Sequence, residues 1–261
     1  MITPARGRTW TVERMAAGLL DAADSGSGLA PLTAQWPELD VATAYAIQDE
    51  LLRLRLDRGE RIIGVKLERV GTERFGPGKP LTAWLTDAMV LPAGAPLRRD
   101  RMIRPRAEPE IVFQAGARLS GPGATAATAL AAVTAVTAAV EVVDSRYTTA
   151  TTSPADAVAD NLSSCRFVTG PVSRPPAGLD LALEACLVNV DGQVVDSATG
   201  AAVSGHPAEA LASAVNDLAR RGLAIQAGWL VLTGAMTDAV PCPAGTSVSA
   251  HFTNLGSVFL T

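Results

Sequence analysis

With 261 residues the chain is long enough to bury a core without disulfide or metal staples, and its 48% hydrophobic, 18% charged and 4% aromatic content describes a globular interior of Ala, Val and Leu. Disordered, coiled-coil and collagen-like architectures are excluded. The 26 acidic and 22 basic residues give a formal charge of −4, and the basic ones are scattered apart from Arg98, Arg99, Arg101, Arg104 and Arg106, so nucleic acid is not an expected partner.

Before Glu13 and Arg14 no apolar run of signal-peptide length occurs, so export is not expected. Thr11 is placed to cap a first helix reaching about Ala23, which the Ser25-Gly26-Ser27-Gly28 run stops. Asp40 opens a second helix, with Ala44, Ile47, Leu51 and Leu54 at helical spacing and Asp57 to Glu60 closing it. Residues 1–60 are therefore expected to form a helical N-terminal segment. Residues 61–261 are expected to form a β-rich catalytic domain, because short β-branched runs separated by Gly and Pro follow at 62–67, 107–113, 140–143, 165–168, 181–190, 229–233, 247–252 and 257–260.

Two helical patterns interrupt the strands. The uncharged stretch 124–140 is 17 residues long, rich in Ala and Thr, and runs into Glu141 and Asp144. A membrane span wants roughly 20 strongly apolar residues, so a buried helix leading into a strand is expected and no membrane partner. The second pattern, 207–222, has Leu211, Val215, Leu218 and Ala219 on one stripe and Gly222 at its end. No repeat or long linker divides the chain, which reads as one α+β unit. Cys165, Cys186 and Cys242 are widely spaced and form no C-x-x-C pair, as expected of buried thiols in a cytoplasmic protein.

The sharpest local signal is Glu108-Pro109-Glu110 at the head of Ile111-Val112-Phe113. Side chains at i and i+2 of a strand share a face, so both carboxylates project together and repel unless a cation or several donors stand between them. Glu141 stands alone between Val140 and Val142, with Asp144 three residues on. Such carboxylates suit a hard cation such as Mg²⁺ or Mn²⁺. The competing reading is a solvated strand face partnered by Arg104 and Arg106. Lys66, inside Ile62-Ile63-Gly64-Val65-Lys66-Leu67, is either a buried catalytic amine or an edge-strand gatekeeper. His206 reads as a helix entry and His251 as a strand residue, and neither is assigned to chemistry. No G-x-S-x-G elbow, Walker A loop, Rossmann fingerprint or H-E-x-x-H occurs.

The strings IRPRAEPEIVF (103–113), AAVEVVDSRY (138–147) and DAVADNLSSCRFVTG (156–170) resemble the fumarylacetoacetate-hydrolase superfamily, in its branch of 2-keto-4-pentenoate hydratases and 4-oxalocrotonate decarboxylases. The resemblance continues through 203–236 and 250–260. It implies a helical N-terminal segment followed by a mixed β-sandwich or β-roll, with Glu108, Glu110 and Glu141 as metal ligands and Lys66 as the active-site lysine. It further implies Asp87, in Leu85-Thr86-Asp87-Ala88-Met89, as a catalytic residue, and Asp160, Asn161 and Ser163, with Thr233 and Gly234, near the substrate.

The resemblance also implies a Mg²⁺- or Mn²⁺-dependent lyase without an organic cofactor, acting on a small carboxylated keto acid and assembling as a homo-oligomer. Decarboxylation of a 4-oxalocrotonate-like 2-oxo-enedioate through a cation-stabilised dienolate comes first, since E-P-E-I and D-S-R-Y look more like the decarboxylases. Hydration of a 2-hydroxydienoate is the alternative, followed by a specialised biosynthetic enzyme or a ligand-binding pseudoenzyme. The sequence departs from the family after the lysine, where Glu68 and Arg69 replace small residues. Both are expected to help select the substrate, unless the strand ends at Leu67 and leaves them solvated.

Overall fold

The computed structural model of the chain describes residues 10–68, 80–149 and 153–261. The Thr11 side chain accepts the Arg14 N–H, and helix α1 (Val12–Ser25) runs from it to Gly26, whose φ of 66° only glycine adopts readily. After the short α2 (Leu32–Gln35), the Asp40 carboxylate caps α3 (Val41–Asp57) through the Thr43 N–H. Met15, Leu19 and Leu20 of α1 and Ile47 and Leu51 of α3 share one apolar cluster with Leu81, Ala83 and Val158. The two helices thus cover the sheet described next through the faces that their sequence periodicity implies.

The remaining strands are β1 (Ile62–Glu68), β2 (Leu81–Thr86), β3 (Arg106–Ala115), β4 (Val133–Val143), β5 (Ser164–Arg174), β6 (Ala185–Val190), β7 (Gln193–Thr199), β8 (Leu230–Ala235), β9 (Val240–Pro241), β10 (Val248–Phe252) and β11 (Gly256–Leu260). Seven form one sheet in the order β2-β1-β8-β3-β4-β5, with β9 paired to β3. The β1–β8 pair is parallel, and its neighbours pair antiparallel. The other four form an antiparallel sheet, β11-β10-β6-β7. Val188, Val248, Ala250, Val258 and Leu260 of that sheet meet Val136, Ala138, Val140 and Val168 of the larger one in a common core. Helix α6 (Pro207–Arg220), capped by His206, buries Leu211, Val215 and Leu218 and packs over β1, β2 and β8. The mixed helix-and-sheet architecture expected from sequence is therefore present.

Local differences have physical causes. Within 124–140 only α4 (Ala126–Leu130) is helical, and β4 begins at Val133. The first half of β4 mixes exposed Thr134 and half-buried Ala135 and Thr137 with buried Val133, Val136 and Ala138, yet all are small and uncharged, so no polar–apolar period marks the strand. Uniform burial hides β2, in which all six residues are buried, whereas β7 escapes recognition because most of it is exposed. Residues 181–184 turn before β6 starts, and the short α5 (Pro154–Ala159) is too brief to leave a periodic signal. All three cysteines are free, Cys186 and Cys242 buried and Cys165 partly so. Among the described residues no helix is long and apolar enough to cross a membrane.

Strand β1 comes so close to β8 that a Cβ on Gly64 would stand 2.0 Å from the Leu230 carbonyl oxygen. Gly64→Ala is expected to lower stability by about 2–3 kcal/mol, because neither backbone can withdraw without breaking the pairing. Urea unfolding checks this: the midpoint should fall at an unchanged slope, and a wild-type midpoint would show that the two strands can part.

Candidate active site

The candidate site is built on three strands of the large sheet. In the β3–β4 register Glu108 faces Glu141, and Glu110 lies two residues along β3 on the same face. One carboxylate oxygen from each of Glu108, Glu110 and Glu141 lies within 4.8 Å of the other two. Glu110 and Glu141 are 0% exposed, and Lys66 is 2% exposed. From β1, Lys66 Nζ reaches 2.6 Å from Glu141 Oε2 and 3.8 Å from Glu108 Oε2. The Gly234 N–H donates to Glu110 Oε2 at 2.8 Å, and Ser164 Oγ donates to Glu141 Oε1 at 2.8 Å. Glu110 Oε1 is buried with no hydrogen-bond partner.

That orphaned oxygen decides what the cluster suits. A buried acceptor without a partner is costly, and three carboxylates share one ammonium. A hard divalent cation, which takes oxygen ligands, would satisfy Glu110 Oε1 and relieve the repulsion, so the donor set fits such an ion. The solvated-face reading fails because Glu110 and Glu141 are fully buried, while Arg104 and Arg106 turn to the carbonyl oxygens of Tyr147 and Ala239. The gatekeeper reading of Lys66 fails as well, since β1 is paired on both sides.

Burial disfavours the Lys66 ammonium, yet Glu141, Glu108 and Glu68 outweigh it and hold the pKa above the ordinary lysine value. Lys66 is consequently a fixed positive charge near neutral pH. Burial pushes Glu108 up to about 7 against the pull of Lys66, and it pushes Glu110 well above the usual carboxylate range with Glu141 adding to the effect.

A cavity of about 550 Å³ opens onto Lys66, Glu108, Glu110 and Thr233. Glu68 is the last residue of β1 and lines the same cavity, as strand alternation from Lys66 requires. Arg69 lies outside the described residues. Thr233 Oγ1 donates to the Ile111 carbonyl at 2.8 Å, which ties β8 to β3 beside the carboxylates. Arg106, two residues before Glu108 on β3 and so on its face, also lines it, with Ser204 and Asp238, which the sequence reading did not place at the site. Ser204 and Asp238 come from separate segments, and no local pattern announces that the fold brings them there.

Four expected residues, Asp87, Asp160, Asn161 and Ser163, are placed elsewhere. Asp87 sits in the turn after β2, where its carboxylate accepts the Arg61 N–H and the Arg61 Nε–H, each at 2.9 Å. The antiparallel β1–β2 register pairs Ile62 with Thr86 and Lys66 with Ala83, so Asp87 emerges at the end of the hairpin remote from the lysine. Ser163 Oγ bonds the Asp160 carboxylate at 3.2 Å, and the next residue, Ser164, is the one that touches Glu141. Residues 161–163 all take positive φ, a local reversal that shifts the alternation and that spacing along the sequence does not disclose. Asp160 pairs with the buried Arg146, and Asn161 bridges both backbone groups of Trp84. These two support the framework around the site.

Residues 67–260 match the family described as fumarylacetoacetate (FAA) hydrolase C-terminal. The 2-hydroxyhexa-2,4-dienoate hydratase of Comamonas testosteroni is 38% identical over 251 residues, covering 94% of this chain and 95% of that protein. The 4-oxalocrotonate decarboxylase of Pseudomonas sp. (strain CF600) is 36% identical over 230 residues, covering 87% of each. Among solved structures, the 4-oxalocrotonate decarboxylase of Pseudomonas putida G7 complexed with magnesium and adipate superposes with a TM-score of 0.92 at 34% identity, over 97% of this chain and 99% of that one.

The raised carboxylate pKa values carry a pH dependence of defined sign. Glu108 rises from 4.5 to about 7 in the folded protein, so its contribution to stability is fully present below about pH 4.5 and is lost as the pH climbs through 7. Chelator-treated protein should therefore melt at progressively lower temperature from about pH 5 to pH 8, and millimolar Mg²⁺ should restore most of the loss. Thermal melts with and without chelator across that range test it; a flat profile in chelator would mean that the carboxylates are compensated by protein groups alone.

Proposed function

Given that the chain belongs to the fumarylacetoacetate hydrolase family, we propose that it is a Mg²⁺- or Mn²⁺-dependent lyase that decarboxylates a 4-oxalocrotonate-like 2-oxo-enedioate. The observation that carries this reading is the juxtaposition of three carboxylates, two of them buried and one of these with an orphaned oxygen, and a lysine held protonated. Glu108, Glu110 and Glu141 would hold the cation, which when bound supplies a Lewis acid for the carboxylate and keto oxygen of an α-keto acid. Adipate in the magnesium complex of the Pseudomonas putida G7 enzyme is a linear dicarboxylate of the same chain length as 4-oxalocrotonate, and this supports a dicarboxylic substrate.

The chain's own groups account for the rest of the reaction. The bond between the distal carboxylate and its neighbouring carbon breaks, CO₂ leaves, and the electron pair is delocalised through the double bond onto the keto oxygen. Lys66 Nζ, fixed in the cavity wall by Glu141, places positive charge where that oxygen becomes negative and donates its proton there, giving the 2-hydroxydienoate. Thr233 and Gly234 keep β8 and Glu110 in register, so the charge is met by a preorganised site. No acid at a carbon atom is required, in keeping with the position of Asp87 at Arg61. Hydration of a dienoate is the second reading, favoured by the 38% identity to the Comamonas testosteroni hydratase. It would need an activated water and a proton delivered to carbon as well.

Incubating the protein and Mg²⁺ with 4-oxalocrotonate and with 2-hydroxypenta-2,4-dienoate separates the two readings. CO₂ release from the first should exceed water addition to the second; the reverse order assigns the hydratase, and turnover of neither rejects both. Lys66→Met should lower turnover by at least about a hundredfold. Glu110→Gln and Glu141→Gln should weaken Mg²⁺ binding measured by calorimetry, and unchanged binding would remove the carboxylates from the metal.

A further inference from the structure

A second cavity, of about 320 Å³, shares no lining residue with the first. It opens between the helical layer and the β4–β5 side of the large sheet, where Arg55, Arg58, Arg98, Arg101, Arg146 and Arg166 all reach its wall. Two of these belong to the basic cluster that stands out in the sequence. Against six guanidinium groups the wall offers only three carboxylates, those of Asp24, Glu60 and Asp144.

The pairing leaves positive charge over. Arg58 is bound to Asp24 at 2.7 Å, Arg98 to Asp100 at 2.9 Å, and Arg146 to Asp160. Arg55 has Glu60 only at 3.4 Å. The Asp144 carboxylate is taken by the backbone N–H groups of Ile103 and Arg104. Among the described residues Arg101 forms no salt bridge, its nearby Asp100 being taken by Arg98, and Arg166 donates only to the Cys165 carbonyl, at 2.8 Å. Arg55 Nε is buried without any acceptor, and burial together with the nearby Arg146 and Arg166 lowers the pKa of that side chain.

An unpaired buried donor beside two unneutralised guanidinium groups calls for an acceptor that carries charge. We propose that this cavity binds a small multivalent oxyanion, a phosphate or a dicarboxylate, with Arg55, Arg101 and Arg166 as its donors. The volume accommodates such an ion with some of its hydration. Because Asp24 and Arg55 come from α1 and α3 while Arg166 comes from β5, the bound anion would tie the helical layer to the sheet and raise the melting temperature of the whole chain.

The test uses the Mg²⁺-loaded protein, with calorimetry and thermal melts in inorganic phosphate, in succinate, and in chloride at matched ionic strength. Saturable binding of phosphate or succinate is expected, and which of the two binds identifies the ligand class. Arg166→Gln and the exposed Arg101→Gln should each weaken it at least about tenfold, the share of one charge-assisted hydrogen bond. Glu110→Gln, which weakens Mg²⁺ binding in the first cavity, should still show saturable anion binding that Arg101→Gln weakens. If Arg166→Gln does not fold, Arg101→Gln decides alone. Absence of saturable binding, an equal effect of chloride, or loss of binding in Glu110→Gln with retention in Arg101→Gln would each overturn the proposal, the last by placing the anion in the first cavity.

Discussion

Like charge crowded onto buried strands is the constraint around which this molecule is arranged. Glu108 and Glu141 face each other across β3 and β4, and Glu110 joins them from the same side. Removing three carboxylates from water costs many kcal/mol unless the surroundings return it through charge and hydrogen bonds. The surroundings do so from four directions: Lys66 from β1, the Gly234 N–H from β8, the Ser164 hydroxyl from β5, and the space left at Glu110 Oε1 for a ligand that the protein itself does not provide. Packing features that look incidental serve this end. The absence of a side chain at Gly64 lets β1 lie against β8, on the side of the sheet from which Lys66 meets Glu141 of β4.

How far the sequence discloses such a site depends on how local each relation is. The same-face placement of Glu108 and Glu110 follows from strand alternation alone, and the isolation of Glu141 and Lys66 in apolar runs shows that something must neutralise them. Caps at Thr11, Asp40 and His206 are equally local, and each opens the helix expected of it. Relations that depend on register are not legible in this way. Asp87 and Lys66 are separated by a hairpin whose pairing, and not the composition of either strand, sends the aspartate to Arg61. The substitution of Ser164 for Ser163 at the carboxylates depends on three consecutive residues of positive φ. The stretch 124–140 shows the converse limit, since its exposed and buried positions alike carry small uncharged residues, and no polar–apolar period then distinguishes a helix from a strand.

The two cavities divide the charge of the protein unevenly. One concentrates carboxylates around a single lysine, and the other concentrates guanidinium groups around too few carboxylates. They share no lining residue, and the buried Arg146, ion-paired to Asp160, forms part of the second cavity's wall. A net charge of −4 therefore conceals strong local fields of both signs, each available to a small ligand of the opposite sign.

The position of β8 also sets an order of assembly. This strand, Leu230–Ala235, lies between β1 and β3, although it follows β3 by more than a hundred residues in the chain. Lys66 and the glutamates consequently cannot acquire their final separation until the last quarter of the polypeptide is available to be inserted. Earlier in synthesis the carboxylates have neither the Gly234 donor nor a closed wall behind them. Such long-range insertion is slow, because loop closure is paid before any contact repays it. The nascent chain therefore holds its acidic cluster open to solvent from the synthesis of Glu141 until that of Gly234, and the site closes only as one of the final events of folding.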